Sequence, residues 1–230
     1  MRSNTLFYVL VINFLGAAFA PEAAAQSSNV VRRELSFGGA CEGCDLSAHR
    51  FVGVDVVHGR FNGARFNGAV MQGARMVKCS FAAAEFAGAD LSGARIESGD
   101  YSGASFRGAQ LNRAIIANAL ISGGAFHGAD LTATEFRGVR LEGARFPGVE
   151  APGVVFLSSD LTAADFSFAV LRKAAFAGAI VRAARFEGAD LGGADLSSAQ
   201  GLTQLQLSRA CGNAETRLPL GLSIPVCGGR

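Results

Sequence analysis

The stretch from Phe86 to Leu111, FAGADLSGARIESGDYSGASFRGAQL, repeats on two scales. A large apolar residue falls at every fifth position: Phe86, Leu91, Ile96, Tyr101, Phe106 and Leu111. The type of that residue then returns at every twentieth, Phe86 with Phe106 and Leu91 with Leu111. A period of five suits neither the 3.6 of a helix nor the 2.0 of a strand. It suits a chain that turns a corner in each pentapeptide, with the large residue at its centre and the residue two before it pointing inward.

The frame extends far beyond this stretch. From Leu46 to Leu196 every fifth residue is apolar or Tyr, 31 positions with no insertion or deletion, and the only small one is Ala151. Two residues before each centre the chain is nearly always small, with His49 the one bulky exception. Two residues after it Gly dominates, as at Gly63, Gly68, Gly73, Gly88 and Gly93, where a corner needs a permissive backbone. If four pentapeptides close one square coil, centres twenty apart stack. Sorted this way, the first column runs Leu46, Phe66, Phe86, Phe106, Phe126, Phe146, Phe166 and Phe186. Seven consecutive Phe in one column identify twenty as the structural period. Coils at strand spacing, about 4.8 Å apart, let such rings stack and make a rod about 37 Å long.

The segments GADLSGARIESG, GADLTATEF and GADLGGADLSSA resemble the pentapeptide-repeat family, whose repeat is written A-[D/N]-L-x-x. The resemblance spans Cys44 to Ala199. It implies an all-β chain, a right-handed quadrilateral β-helix of about eight coils. Phe often stands at the centres here in place of Leu, a variation the family admits.

The ends read differently. Residues 1–25 carry Arg2, a mostly apolar stretch from Leu6 to Ala20, and small residues Ala23 to Ala25 fitting a cleavage site. They are assigned as a signal peptide, which places the protein outside the cytoplasm, periplasmic or secreted, with no stable membrane anchor after cleavage. Residues 26–40 form a modest N-terminal cap and 41–200 the β-helix. At AQGLTQLQL the frame slips. Residues 201–230 are assigned as a capping helix and tail, with Thr203 capping a helix through Arg209, Gly212 as its stop, and Leu202, Leu205 and Leu207 available for docking.

Five cysteines, Cys41, Cys44, Cys79, Cys211 and Cys227, follow the signal. In an oxidising compartment disulfides persist. Cys211 and Cys227 flank the C-terminal segment and are a possible disulfide. Cys41 and Cys44 form a C-x-x-C that, lacking a second matching pair, is a weak zinc signature, and the odd total leaves one thiol over.

No catalytic constellation is evident. His49 is expected to point inward and His58 and His127 outward on different faces, so they do not converge. Asp90, Asp130, Glu150 and Asp190 share the second column as a solvated acidic line. There is no Walker loop, G-x-S-x-G or H-E-x-x-H, and a filled rod offers no cleft. The chain reads as non-enzymatic, with no catalytic residues, no cofactor and no metal site.

A less routine feature lies on the surface. The outward position before the centre, usually polar, becomes Ile115, Leu120, Val155, Val170, Ala175 and Ile180 in the later coils. Together with outward Leu157, the residues Ile115, Leu120, Val155, Ala175 and Ile180 form the candidate interaction patch. The leading expectation is an exported repeat scaffold for protein–protein interaction in the cell envelope, with an unidentified protein or a second copy as partner. The alternative comes from the resemblance: some pentapeptide-repeat proteins are DNA mimics that bind DNA topoisomerase and confer resistance to its inhibitors. That role requires a strongly acidic surface and a cytoplasmic address, and such relatives commonly dimerise through a C-terminal helix. Here the net charge is +2, unchanged by removing Arg2 and Glu22 with the signal. A nearly balanced charge without basic runs likewise gives no expectation of nucleic-acid binding.

Overall fold

Most pentapeptides turn on the same local bond, which is absent at centres including Val56, Met76, Ile96, Ile116, Phe136 and Phe156. The N–H two residues before the next centre donates to the carbonyl of the last one, as Ala89 does to Phe86 and Ala94 to Leu91, both at 3.0 Å. This closes a four-residue turn whose third position carries a positive φ, the geometry that favours Gly there. Gly88 and Gly93 both have φ 64°. Successive coils are then tied together by N–H to carbonyl bonds, Phe86 to Ser105 at 2.7 Å and Asp90 to Ala69 at 2.9 Å.

The computed structural model describes residues 36–37 and 39–228. The signal-peptide assignment, and the proposed N-terminal cap except 36–37 and 39–40, fall outside them. Every strand pairing and isolated bridge is parallel, and from Ala40 to Gln200 the bridges recur twenty residues apart: Ala40, Arg60, Ser80, Asp100, Leu120, Arg140, Asp160, Ile180 and Gln200 in one ladder. The chain is a parallel β-solenoid.

The third face is the most extended. It carries β1 (Ser36–Phe37), β2 (Asp55–Val57), β3 (Arg75–Val77), β4 (Arg95–Glu97), β5 (Ile115–Ala117), β6 (Glu135–Arg137) and β7 (Val155–Leu157), seven strands paired in sequence order. β1 joins β2 with Phe37 opposite Val56, a step of nineteen instead of twenty. Above β7 this face narrows to single bridges, and its corner tightens to the ordinary turn, with Ala179 N–H donating to Phe176 O at 3.0 Å.

The interior is a filled column. From Phe66 to Phe186 the first-face rings stack with centroids 4.6 to 5.4 Å apart. A second stack runs Phe61, Phe81, Tyr101 on the fourth face. Higher up it is replaced by Phe136, Phe156, Phe176 on the third. Small partners keep the cross-section constant. Where the centre shrinks to Ala151, the flanking inward residues grow to Val149 and Val154, and all three are fully buried.

The upper end is closed by α1 (Gln204–Leu207), with Thr203 as N-cap in a capping box with Gln206. The helix is shorter than its sequence suggests: it ends with Ser208 as C-cap, so neither Arg209 nor Gly212 belongs to its terminus. Of the three leucines expected to dock, Leu207 is fully buried and Leu202 packs partly buried, but Leu205 is 83% exposed. Four residues make barely one turn, too few to turn all three inward. Gln206 does much of the capping: its Nε2 donates to Val181 O and Ala184 O, both at 2.8 Å. Val181 O also accepts the Ala184 N–H at 3.1 Å, whereas among the described residues Gln206 is the donor on which Ala184 O depends.

Candidate interaction surface

The outward residue before each centre sets the chemistry of a face. Where it is Asp, with Asp55 the exception, its carboxylate accepts the N–H two residues on, as Asp130 does from Thr132 and Asp160 from Thr162, both at 2.9 Å. This local bond is the physical content of the A-D-L-[S/T] pattern. It also holds the Asp195 carboxyl below its ordinary range, through the hydroxyl and N–H of Ser197. At Asp90 partial burial pushes the other way, but bonds from Ser92 and Gln72 prevail and the net shift is down.

Many arginines are paired across coils. Arg65 meets Asp45 and Arg75 meets Asp55 at 3.0 Å, and Arg217 meets Asp195 at 2.8 Å. From Cys44 to Ala199, three faces each carry four basic and four acidic residues and the fourth carries three of each. No face presents a single-sign field, and the acidic line of the second column is balanced by Arg50, Arg113, Arg172 and Lys173 on the same face.

The apolar patch separates into two parts. On the third face Ile115 pairs with Glu135, which pairs in turn with Val155, so the Glu135–Arg137 ion pair stands between them. On the fourth face Leu120 and Ile180 are separated by Arg140 and Asp160. The lower part holds Ile115 with Leu120. The upper part holds Val155 bridged directly to Ala175, with Leu157 beside Val155 on the same strand and Ile180 around the corner. Leu157 is 42% exposed and Leu120 36% exposed, while Ile115, Val155, Ala175 and Ile180 are half-buried.

One exposed residue has no counterpart in the sequence reading. Phe168 is 69% exposed and occupies a corner position at φ 58°, where bulky residues are strained. Its ring lies on Gly188, where an added Cβ would come within 2.5 Å of it. Glycine at that corner of the next coil makes room for it. Phe168 sits two residues after its centre, among positions otherwise read only as turn glycines; its bulk was the available signal.

The pentapeptide-repeat pattern matches this chain in 8 copies over residues 60–97, 89–124, 116–148, 125–156 and 159–199, more than half its length. The chain belongs to the pentapeptide-repeat family. Among solved pentapeptide-repeat folds it is similar to a trypsin-treated QnrB1, described as a plasmid-mediated fluoroquinolone resistance protein. That likeness has TM-score 0.72 at 20% identity, covering 80% of this chain and 92% of that one. It is also similar to HetL from Nostoc sp. strain PCC 7120, a pentapeptide-repeat protein involved in heterocyst differentiation regulation. There the TM-score is 0.65 at 21% identity, over 90% of this chain and 89% of that one. No curated protein matches the sequence.

In this pentapeptide-repeat chain the cysteines pair as Cys41–Cys44 and Cys211–Cys227. Cys79 is the thiol left over, buried on the inward side with its Sγ 3.3 Å from Val56 O. Asp190 lies against the second disulfide, its Oδ1 3.3 Å from the Cys227 sulfur. With both sulfurs bonded to each other, and Asp190 already accepting from Gly192 and Arg172, that cluster is not a set of free metal ligands. The histidines stay apart. His49 is half-buried at the lower end, stacked 6.2 Å from Phe51, His58 is exposed at a third-face corner, and His127 is on the first face. No helix among the described residues is long and apolar enough to cross a membrane.

Proposed function

We propose that this pentapeptide-repeat rod is an exported, non-enzymatic scaffold that binds a protein partner or a second copy through the upper apolar strip. The observation that carries this reading is the direct rung from Val155 to Ala175 beside exposed Leu157, with Ile180 next to it. Contiguous exposed apolar surface is characteristic of interfaces. Export is supported by the apolar N-terminal segment and by the two disulfides, which persist in oxidising compartments. A core filled with aromatic stacks supports the absence of an active-site cleft.

The test separates the strip from the lower apolar residues. Leu157→Glu with Ile180→Asp is expected to abolish self-association or partner capture from an envelope fraction, measured by sedimentation and affinity capture. Ile115→Asp alone is expected to leave both intact. If the double variant behaves as wild type, the strip is not the interface.

The likeness to QnrB1 favours a second reading, a topoisomerase protector of the DNA-mimic type. Against it stand the face-by-face charge balance and the export signal. A supercoiling assay with inhibitor, together with cell fractionation, discriminates the two. Protection by a cytoplasmic protein would favour the second.

A further inference from the structure

The first face carries a basic group that neither the apolar strip nor the ion-pair ladders use. Arg107 and His127 occupy equivalent places just after Phe106 and Phe126, on neighbouring coils joined by Gly108 N–H to His127 O at 2.9 Å. Arg145 stands one coil higher, in the bridge that pairs it with Ala125. Arg107 and Arg145 are exposed, and neither makes an ion pair among the described residues. His127 Nδ1 is sealed from solvent without a hydrogen-bond partner.

Ala125, beneath these side chains, is closely covered. It sits at an outward position yet is only 6% exposed, and it lies outside the hydrophobic core cluster. Its cover therefore comes from the surface side chains around it. Ser105 lies one rung below and Arg145 one rung above, with His127 two residues along. Burial and the charges of Arg107 and Arg145 hold the His127 imidazole below its usual range, and only Asp165 opposes them. Asp165 is itself engaged by Ser167 and Arg185. Arg107, His127 and Arg145 thus lie on three successive coils of one face, where the nearby carboxylate is Asp165, bridged to Arg145 from the coil above and held by Ser167 and Arg185, and such a basic array gains free energy when an anion neutralises it.

We propose that Arg107, His127 and Arg145 form a binding site for a phosphate monoester on the first face, above the covered Ala125. The two guanidiniums offer planar paired donors to the phosphate oxygens. The imidazole takes up a proton as the anion arrives, adding a third positive charge beside the two guanidiniums. The monoester can be carried by a soluble phosphorylated sugar or by a phosphatidate headgroup, and both present the same dianionic oxygens.

Imidazole NMR of the full chain provides the test, with His58 as internal control. Inorganic phosphate is expected to shift His127, leave His58 unmoved and raise the His127 pKa. Sulfate, whose charge does not change across the range, is expected to bind more tightly as the pH falls through the imidazole titration. Arg107→Gln with Arg145→Gln is expected to weaken phosphate binding by at least about tenfold, since each lost charge-assisted bond is worth about that factor. Unchanged aromatic NMR of the Phe column would show that this variant is folded. Glucose 6-phosphate and phosphatidate vesicles, against phosphatidylcholine vesicles, distinguish the sources, and binding of either supports the site. An unmoved His127, equal shifts at His58, undiminished binding by the folded double variant, or failure of both monoesters would each overturn the proposal.

Discussion

The rings of Phe126 and Phe146 lie face to face, centroids 4.6 Å apart and planes 9° from parallel. Phe126 stacks equally on Phe106 from below, at 4.9 Å, so its ring is held on both sides. Phe126→Ala is expected to cost about 3–5 kcal/mol in denaturant unfolding, the range for truncating a buried Phe. Because coils touch mainly their neighbours, faster amide exchange should concentrate in the coils of Phe106 and Phe146.

Inward and outward positions should respond oppositely to bulk. Ala109 is fully buried, whereas Ser122 is half-buried and reaches outward to Glu142 Oε2 at 2.7 Å. Ala109→Trp overpacks the tube and is expected to cost about 1–3 kcal/mol or more. Ser122→Trp should stay within about 0.5 kcal/mol, as surface changes usually do. Thermal unfolding of the two variants side by side checks the assignment, and equal losses would reject it.

Gly99 is present for space. A Cβ there would stand 2.6 Å from Tyr101 Cε2 and 2.9 Å from the Cys79 carbonyl oxygen. Gly99→Ala is expected to destabilise by about 1–3 kcal/mol. Two higher coils place Ala119 before Ile121 and Val139 before Leu141, so adding Tyr101→Leu should recover part of the loss. Melting of the single and double variants measures the coupling.

The aspartates before the centres make stability depend on acid. Asp195 is lowered by its bonds from Ser197, then slightly opposed by burial and aided by Arg217. A lowered folded-state pKa means the stabilisation is fully present above the unfolded value and is lost as pH falls through the folded one. The melting temperature is therefore expected to fall below about pH 4, near the unfolded carboxylate range. Asp195→Asn keeps an acceptor for the Ser197 N–H but removes the charge, and should flatten that acid limb in melts across pH.

The cap rests on one amide. Gln206→Leu would leave Ala184 O without its donor and Val181 O with only the Ala184 N–H, at an expected cost of about 1–3 kcal/mol if no water replaces it. Hydrogen exchange should show the loss in the last coil and α1, with the Phe66 to Phe126 coils unchanged.

The repeat was legible because one physical demand, a large inward residue at each side of a square, recurs without a break from Leu46 to Leu196. The cap was less legible. It follows no period, and Thr203, Leu205 and Leu207 fit a helix running on to Arg209, two residues beyond the one that forms. Phe168 was hidden because corner positions were expected to hold glycine. The patch looked continuous in sequence order, but the coil holding Glu135, Arg137 and Arg140 passes between its halves. The burial of Ala125 could not be read from the chain, because its position points outward.

The uninterrupted first-face column also constrains how such a chain can change length. Deleting one residue between Phe66 and Phe186 would rotate every later centre out of the tube, and losing five would move each onto the wrong face. Only whole circuits can be gained or lost without disturbing the stacks on either side. The single nineteen-residue step, between β1 and β2, falls at the terminal rung of the described ladder, where only one pairing has to absorb it. Length in this protein is therefore quantised, and the rod's reach varies in increments of one coil, about 4.8 Å.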